Sequence, residues 1–423
     1  MKKRILLALL LALCMVFVLC ACGEDADYTD NGASSTENGG TSTEDGGNKE
    51  EEKVYSQGLE YRLSSSGEFY SLIGIGTCQD TDLVVPPEYY GKPVRRVGSM
   101  AFDSNTNITS VVLPDSVMYL DGNTFFGCTS LKSIEFGNGL VDIASMSFTN
   151  CTSLTSVIVP EGVTRIDAYA FYGCESLKTI VLPNSLVELN EYTFFECPSL
   201  EYSEYENGLY LGNDTNPYMV LVKVKDKSLA SYSVHSNTKM ILDEAFRECT
   251  SLTSVQIPNS VKMIGSRAFY GCTSLETIVI PDSVTKIGIE VLSMCTSLKN
   301  VQIGSGIESL SDKTFLGCTS LEAIELPNTL KSIERWVFTD CTKLSSVNIP
   351  SSVVSIDLEA FTNCTSLKKI VIPISVTSMG TRVFDGCSVL KIYCEATEAP
   401  KNWISGWNGW PSSRPVEWGY TGK

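Results

Sequence analysis

The sequence of 423 residues contains a single histidine, His235. One imidazole cannot build a multi-histidine metal site, and any catalytic triad that depends on histidine would have to use His235. Charged residues make up only 19% of the chain, and acids outnumber bases to give a formal net charge of −17. This balance argues against nucleic acid as a partner, because Lys and Arg must neutralise phosphates there. It argues equally against electrostatic docking onto anionic membrane surfaces.

Motifs of catalytic and metal-binding chemistry are also absent from the sequence. The chain has no G-x-S-x-G elbow, no P-loop, no G-x-G-x-x-G, no H-E-x-x-H and no C-x-x-C pair. We therefore predict no catalytic residue, no metal site and no cofactor. We expect His235 to lie in an exposed turn, since it stands where most repeats of the chain carry proline.

The N-terminus has the pattern of an export signal. A positive segment at 2–4 precedes an apolar run at 5–19, which is short of the roughly 18 apolar residues of a membrane-spanning helix. The run ends in LCAC at 19–22, which resembles the lipobox of bacterial lipoproteins. The resemblance implies cleavage after Ala21 and a lipid on Cys22. An ordinary secreted protein cleaved nearby is the alternative.

The segment at 22–53 follows the predicted cleavage site. It holds ten acids, two lysines and many Gly, Ser and Thr residues, so it offers almost nothing to bury. We predict a lipid-anchored, disordered, acidic linker that holds the folded part away from the membrane. The expected location is the extracellular face of the bacterial cell membrane, with the lipid as the only membrane contact.

Cysteine recurs with a fixed period, which is typical of a solenoid whose units pack only on their neighbours. The sixteen cysteines of an exported chain could suggest disulfides. Equivalent positions in a stack point their Cβ atoms in parallel, however, so we predict buried thiols that pack as small hydrophobes. Within two runs the spacing is 23 residues, at positions 128, 151, 174 and 197, and then 249, 272, 295, 318, 341, 364 and 387.

One copy of the repeat, FTNCTSLTSVIVP at 148–160, shows the physical role of each position. A short strand would point Val157 and Val159 inward and Ile158 outward, because side chains alternate along a strand. Pro160 would end that strand, since it has no N–H to donate. Stacked copies would align each position into a continuous column.

An insertion interrupts the period between the two cysteine runs. The gap there is 52 residues, which equals two periods plus six. The sequence at 208–223 indicates two strands joined by a turn at 213–217. We predict a hairpin that projects from the solenoid and offers Tyr210, Tyr218 and Met219 as candidate binding residues.

The unit F-x-x-C-T-S-L-x-x-I-x-I-P-x-S-V-x-x-I resembles the BspA-like, or treponemal-type, leucine-rich repeat of bacterial surface proteins over roughly residues 80–395. The resemblance implies a curved, mostly β repeat solenoid, with short strands on one face and irregular or short helical segments on the other. The expected organisation is a signal peptide at 1–21, the linker at 22–53, an N-terminal capping segment at 54–101, repeats at 102–395 with the hairpin near 208–223, and a Trp-rich C-terminal cap at 396–423.

The outward positions of the short strands form the candidate binding face, since solenoids of this type commonly bind through their strands. A solvated sheet without a partner is the alternative. The Trp-rich end could stack on sugars or cover the open end of the solenoid, and we favour the cover. The candidate residues on the strand face are Glu135, Ile158, Val181, Gln256, Val279, Gln302, Glu325 and Asn348.

Proteins of the resembled family are similar in being extracellular and in binding host or neighbouring-cell proteins. The resemblance therefore implies a surface lipoprotein that binds extracellular proteins in adhesion or cell contact. Capture of glycans or nutrients through the Trp-rich end or the hairpin is the first alternative. A scaffold for an exported enzyme is the second, since a fold alone does not fix a function.

Overall fold

Each 23-residue repeat forms one rung of a solenoid. A rung carries a strand of three or four residues, a strand of two residues and a turn segment, and each part stacks on the same part of the next rung. The structure is a computed structural model that describes residues 54–409 and 414–422. The predicted signal peptide at 1–21, the linker at 22–53 and Trp410 lie outside the described residues.

The strands are numbered in chain order. The N-terminal part contains β1 (Glu60–Leu63), β2 (Tyr70–Gly74), β3 (Asp82–Val84), β4 (Glu88–Tyr89), β5 (Lys92–Val97), β6 (Ser110–Val112), β7 (Tyr119–Leu120), β8 (Ser133–Glu135), β9 (Asp142–Ile143), β10 (Ser156–Ile158), β11 (Arg165–Ile166), β12 (Thr179–Val181) and β13 (Glu188–Leu189). The insertion contains β14 (Ser203–Tyr205), β15 (Gly208–Leu211) and β16 (Val220–Val224). The C-terminal part contains β17 (Ser231–Ser233), β18 (Met240–Ile241), β19 (Ser254–Gln256), β20 (Met263–Ile264), β21 (Thr277–Ile280), β22 (Lys286–Ile287), β23 (Asn300–Ile303), β24 (Ser309–Leu310), β25 (Ala323–Glu325), β26 (Ser332–Ile333), β27 (Ser346–Asn348), β28 (Ser355–Ile356), β29 (Lys369–Ile372), β30 (Ser378–Met379), β31 (Lys391–Cys394) and β32 (Val416–Trp418).

The longer strands of successive rungs form what we call the front sheet. They pair in parallel one repeat apart, as in Val157 opposite Ile180 between β10 and β12. Val157 and Val159 are buried, whereas Ile158 is 70% exposed, so the predicted alternation is confirmed. The front sheet consists of β3, β6, β8, β10 and β12, then of β17 and β19, followed by β21, β23, β25 and β27 and by β29, β31 and β32, with strand pairing interrupted between these groups.

The two-residue strands form a second parallel sheet, the back sheet. Ile143, Ile166 and Leu189 are its inward residues in three successive rungs, and all three are fully buried. Burying such a side chain contributes about 1.5–3 kcal/mol. These side chains therefore stabilise a rung only when a neighbouring rung stacks on it and keeps them buried. The strands of the back sheet are β5, β7, β9, β11 and β13, and then β16, β18, β20 and β22 followed by β24, β26, β28 and β30.

The third side of each rung is a column of turns rather than helices. Met146 and Asn150 both have φ near +60°, and the equivalent positions of the other rungs repeat this left-handed conformation. Two such residues only four positions apart prevent a right-handed helical turn. The amide of Phe148 instead donates to the carbonyl of Ala170 in the next rung at 2.8 Å. No helix occurs in the described residues, so of the two predicted forms of this side, irregular or short helical, the irregular one is confirmed.

The core between these three sides is built from stacked columns of identical residues. The rings of Phe125 and Phe148 stack with centroids 5.2 Å apart, and the column continues along both parts of the solenoid. Next to it, the Cys151 thiol donates a hydrogen bond of 3.1 Å to the carbonyl oxygen of Phe125. The same bond recurs at Cys295, whose thiol donates to Phe269 at 3.2 Å. The described cysteines are free and buried.

The insertion does form a hairpin, but it does not project from the solenoid. β15 pairs antiparallel with β16, which pairs in parallel with β18 of the back sheet. Tyr210 and Leu221 pack into the core of the C-terminal rungs, whereas Leu211 and Val220 pack into the core of the N-terminal rungs. Both faces of the hairpin are apolar, so each must be covered. The predicted projection was therefore wrong, and the hairpin is a shared wall between two cores.

A joint next to the hairpin packs the last N-terminal rung against the back sheet of the C-terminal part. Met240 and Met263, whose equivalents in other rungs are partly or fully exposed, are buried there in the core of the N-terminal rungs. The Asp243 carboxylate accepts main-chain hydrogen bonds from Tyr192 at 2.8 Å and Ser266 at 2.6 Å. Burial raises the pKa of Asp243 to about 6, since the charged form is poorly solvated.

The ends of the solenoid are closed by different means. At the N-terminus, β1 pairs antiparallel with β2, which continues into the back sheet through β5. At the C-terminus, Trp407 covers the last ring of the phenylalanine column, Phe384, with centroids 6.2 Å apart. Trp403 and Trp407 are buried, and the Trp403 indole N–H donates to the carbonyl of Val376 at 3.2 Å. These contacts place Trp403 and Trp407 at the end of the C-terminal core, where the sequence predicts a cover.

The buried thiols predict a loss of stability at alkaline pH. Burial raises the pKa of Cys128 and Cys197 to about 12, whereas thiols of the unfolded chain ionise near pH 8.5. Between these values the unfolded state binds fewer protons, so the free energy of unfolding should fall by about 1.4 kcal/mol per pH unit for each such thiol. Urea unfolding at pH 9, 10 and 11 measures this fall. A free energy of unfolding that stays constant over this range would contradict it.

The hairpin predicts a second effect on stability. Replacing Leu221 with Ala removes a fully buried side chain from the shared wall and should cost about 2–5 kcal/mol. Asp214→Ala, at the exposed tip of the same hairpin, should change stability by less than about 0.5 kcal/mol. Urea unfolding of both variants measures the contrast. Equal, small effects would show that the hairpin does not contribute to either core.

Candidate binding face

The front sheet places the predicted face residues on its outer surface. Each is an outward residue of a front strand and is exposed, as at Ile158 in β10 and Glu325 in β25. Their inward neighbours belong to the core, so the face is held by strands that cannot move independently. The residues placed in this way are Glu135, Ile158, Val181, Gln256, Val279, Gln302, Glu325 and Asn348.

The sequence predicted one continuous column of outward residues, but the structure divides this column into two stretches. Val181 in β12 is followed along the front by Gly212 of the insertion, and the front sheet starts again at β17. Glu135, Ile158 and Val181 therefore lie on a short N-terminal stretch. The other five candidates lie on a separate C-terminal stretch, because the hairpin takes up the space between them.

A groove of about 960 Å³ lies on the C-terminal stretch, across β23, β25, β27 and β29. Ala323 and Ser346, whose side chains are small, are among its lining residues. Three of the predicted residues, Gln302, Glu325 and Asn348, line it. Its other polar lining residues are Asn300, Ser345, Ser346, Lys368 and Lys369, and Lys368 was not among the residues that the sequence singled out.

Several polar side chains that line the groove have no side-chain partner among the described residues, whereas others on the solenoid are paired between rungs. In the turn column, Glu290 binds Arg267 at 2.5 Å and Lys313 at 2.9 Å. Burial opposes ionisation of Glu290, yet these two cations hold its pKa below the usual value. Within the described residues, by contrast, no side-chain hydrogen bond or ion pair forms at four groove residues, Gln302, Glu325, Asn348 and Lys368.

The C-terminal end of the groove is a cluster of lysine and tyrosine. The Lys369 ammonium donates to the hydroxyl of Tyr420 at 2.9 Å and lies 4.7 Å from the centroid of Tyr393. The hydrogen bond to Tyr420 raises the pKa of Lys369. Lys391 is paired with Glu417 at 2.8 Å. Lys368 is therefore the lysine whose charge remains free at this end.

The candidate residues of the hairpin are placed mostly inside the protein. Tyr210 and Met219 have no exposed surface, and the hydroxyl of Tyr210 lies 2.8 Å from that of Tyr232. Tyr218 is half-buried and packs on the ring of His235 at 4.2 Å. Tyr210 and Met219 therefore cannot contact a partner, which corrects the prediction for them. The nearly continuous apolar sequence of β15 and β16 is consistent with burial on both faces, but it does not show which segments cover them.

The sequence also led to predictions about lipidation, metal binding and membrane spanning. Cys22, the predicted lipidation site, lies outside the described residues. Among residues 54–409 and 414–422, no cluster of three His, Cys, Asp or Glu side chains could hold a metal ion. The same residues contain no helix that is long and apolar enough to span a membrane.

The repeat pattern matches a known protein family. The family described as BspA type leucine rich repeat region (6 copies) matches residues 95–215, 224–318 and 297–399, which is more than half of the chain. The chain belongs to the BspA-type leucine-rich repeat family. No curated protein matches the chain.

Solved structures similar to this BspA-type protein come from several bacteria. A leucine-rich repeat protein from Eubacterium ventriosum is 25% identical, with 83% of this chain and 96% of that chain covered and a TM-score of 0.42. One from Bacteroides ovatus is 24% identical, with coverage of 87% and 99% and a TM-score of 0.37. A leucine rich cell surface protein from Faecalibacterium prausnitzii is 20% identical, with coverage of 87% and 95% and a TM-score of 0.28.

Proposed function

We propose that this BspA-type protein is a lipid-anchored binding protein of the bacterial cell surface, and that its front sheet engages extracellular proteins in adhesion or cell contact. The observation that carries the proposal is the groove, where exposed hydrogen-bonding side chains lie without partners. These side chains stand on strands fixed by the core, so binding would cost little ordering of the main chain. A rigid scaffold that presents unpaired polar groups suits recognition.

Attachment to the membrane is supported by the sequence LCAC at 19–22 and the acidic segment that follows it. An anchor at Cys22 and a flexible linker to residue 53 would leave the whole front sheet free to meet a partner. The proposed location is accordingly the extracellular face of the membrane.

The proposed lipidation can be tested by replacing Cys22 and, as a control, the nearby Cys20. The wild-type protein, labelled in growing cells with a fatty-acid probe, should carry the label. Cys22→Ala should lose it, because no other thiol occupies the modified position, whereas Cys20→Ala should keep it. A label that survives Cys22→Ala would show that the anchor lies elsewhere or that the protein is secreted without one.

Binding through the groove predicts that a bulky charge on the front sheet blocks recognition. The compact unit Lys53–Lys423 would be immobilised and tested against purified extracellular-matrix proteins and a glycan array. Gln302→Arg should weaken saturable protein binding at least about ten-fold, since it adds a long charged side chain at the groove. Ser378→Arg, on the exposed side of the back sheet, should leave binding unchanged.

The controls separate loss of binding from loss of folding. Both replaced side chains are exposed, so both variants should unfold within about 0.5 kcal/mol of the wild type. Equal protein binding by Gln302→Arg and wild type would overturn the front-sheet proposal. Binding to glycans alone would replace the protein-binding role with the capture of glycans.

A further inference from the structure

We infer that the groove binds an extended polypeptide segment in which a basic and an acidic side chain are four residues apart. This inference rests on the proposed function, since it specifies the part of the partner that the front sheet would contact. It comes from three features of the groove: its amide side chains, its two free charges of opposite sign and the spacing between those charges.

The amide side chains suit a polypeptide main chain. Gln302 and Asn348 lie on either side of Glu325, in rungs that neighbour its own rung. A carboxamide both donates and accepts hydrogen bonds, as does each peptide group of an extended chain. Both carboxamides are exposed and have no partner within the described residues, so this capacity is available to a ligand.

The two free charges define where a partner's charges would lie. Glu325 is the carboxylate near the middle of the groove, and Lys368 is the free ammonium at its C-terminal end. Lys369 cannot take the same role without leaving Tyr420, to which it donates at 2.9 Å. A partner that places a basic group on Glu325 and an acidic group on Lys368 would complement both charges.

The spacing follows from the geometry of the sheet. Glu325 and Lys368 are two rungs apart and three residues apart in the direction of the strands. With rungs about 4.8 Å apart and residues about 3.3 Å apart, their Cα atoms are separated by roughly 14 Å. An extended chain covers that distance in about four residues. Residues i and i+4 of an extended chain point to the same side, so both charged side chains would face the groove.

Selection from a random peptide library displayed on phage tests this inference, with the compact unit Lys53–Lys423 as target. Peptides whose binding is lost in Gln302→Arg should be enriched in a basic and an acidic residue four positions apart. The double variant Glu325→Lys with Lys368→Glu should bind these peptides at least about ten-fold more weakly. The double variant should bind more tightly to peptides in which the basic and the acidic residue have exchanged places.

A matched control places the same charge exchange off the groove. Glu308→Lys with Lys331→Glu alters two exposed residues that do not line the groove, and it should leave peptide binding unchanged. Thermal unfolding of both double variants checks that the fold is intact. Equal weakening by both would mean that only the overall charge matters, which overturns the inference.

The remaining outcomes separate this inference from the proposed function. Peptides that depend on Gln302 but show no charged pair, and that bind the Glu325/Lys368 exchange normally, would overturn the spacing while the front sheet remains a binding face. If no selected peptide depends on Gln302 although matrix-protein binding does, the segment idea fails and the proposed function stands. If neither depends on Gln302, both fail.

Discussion

The hydrogen bonds that join each rung to the next are the constraint on which the rest of the structure depends. They run along the front sheet, the back sheet and the turn column, always one repeat apart, as from Phe148 to Ala170. Because the offset is constant, every side chain meets its own equivalent in the next rung. Phenylalanine stacks on phenylalanine, and ten of the described cysteine thiols donate to the same carbonyl position of the rung before them. A single repeat has no such neighbours and could not bury its core alone.

The insertion shows what happens when that offset is broken. Six additional residues cannot be taken up by a rung, so the chain forms an antiparallel hairpin with one apolar face toward each part of the solenoid. The core is thereby divided in two, and the last N-terminal rung packs against the back sheet around Asp243. The same change ends the first stretch of the front sheet at Val181. The proposed binding surface is therefore limited to one of two shorter stretches.

Polar side chains on this protein fall into two groups. On the turn column they pair between rungs, as Glu290 does with Arg267 and Lys313, and so they stabilise the stack. On the groove they stand unpaired in the same periodic setting, as Gln302 and Asn348 do. The repeat offers neighbours to both groups at the same spacing, so the difference lies in the choice of side chain. The unpaired side chains that line the groove are the reason for proposing recognition there.

Much of the fold follows from the sequence alone, because a strict period of 23 residues allows only a stacked structure. The alternation of side chains along strands and the equivalence between rungs determine which residues are buried. Phe148, Cys151 and Val157 are buried for this reason, and Ile158 is exposed. The sequence could not decide the turn column, since left-handed residues such as Met146 carry no mark of that conformation. It also could not decide the burial of Tyr210, or which part of the strand face forms a groove. These depend on contacts between segments distant in the chain, and only the tertiary structure brings those segments together.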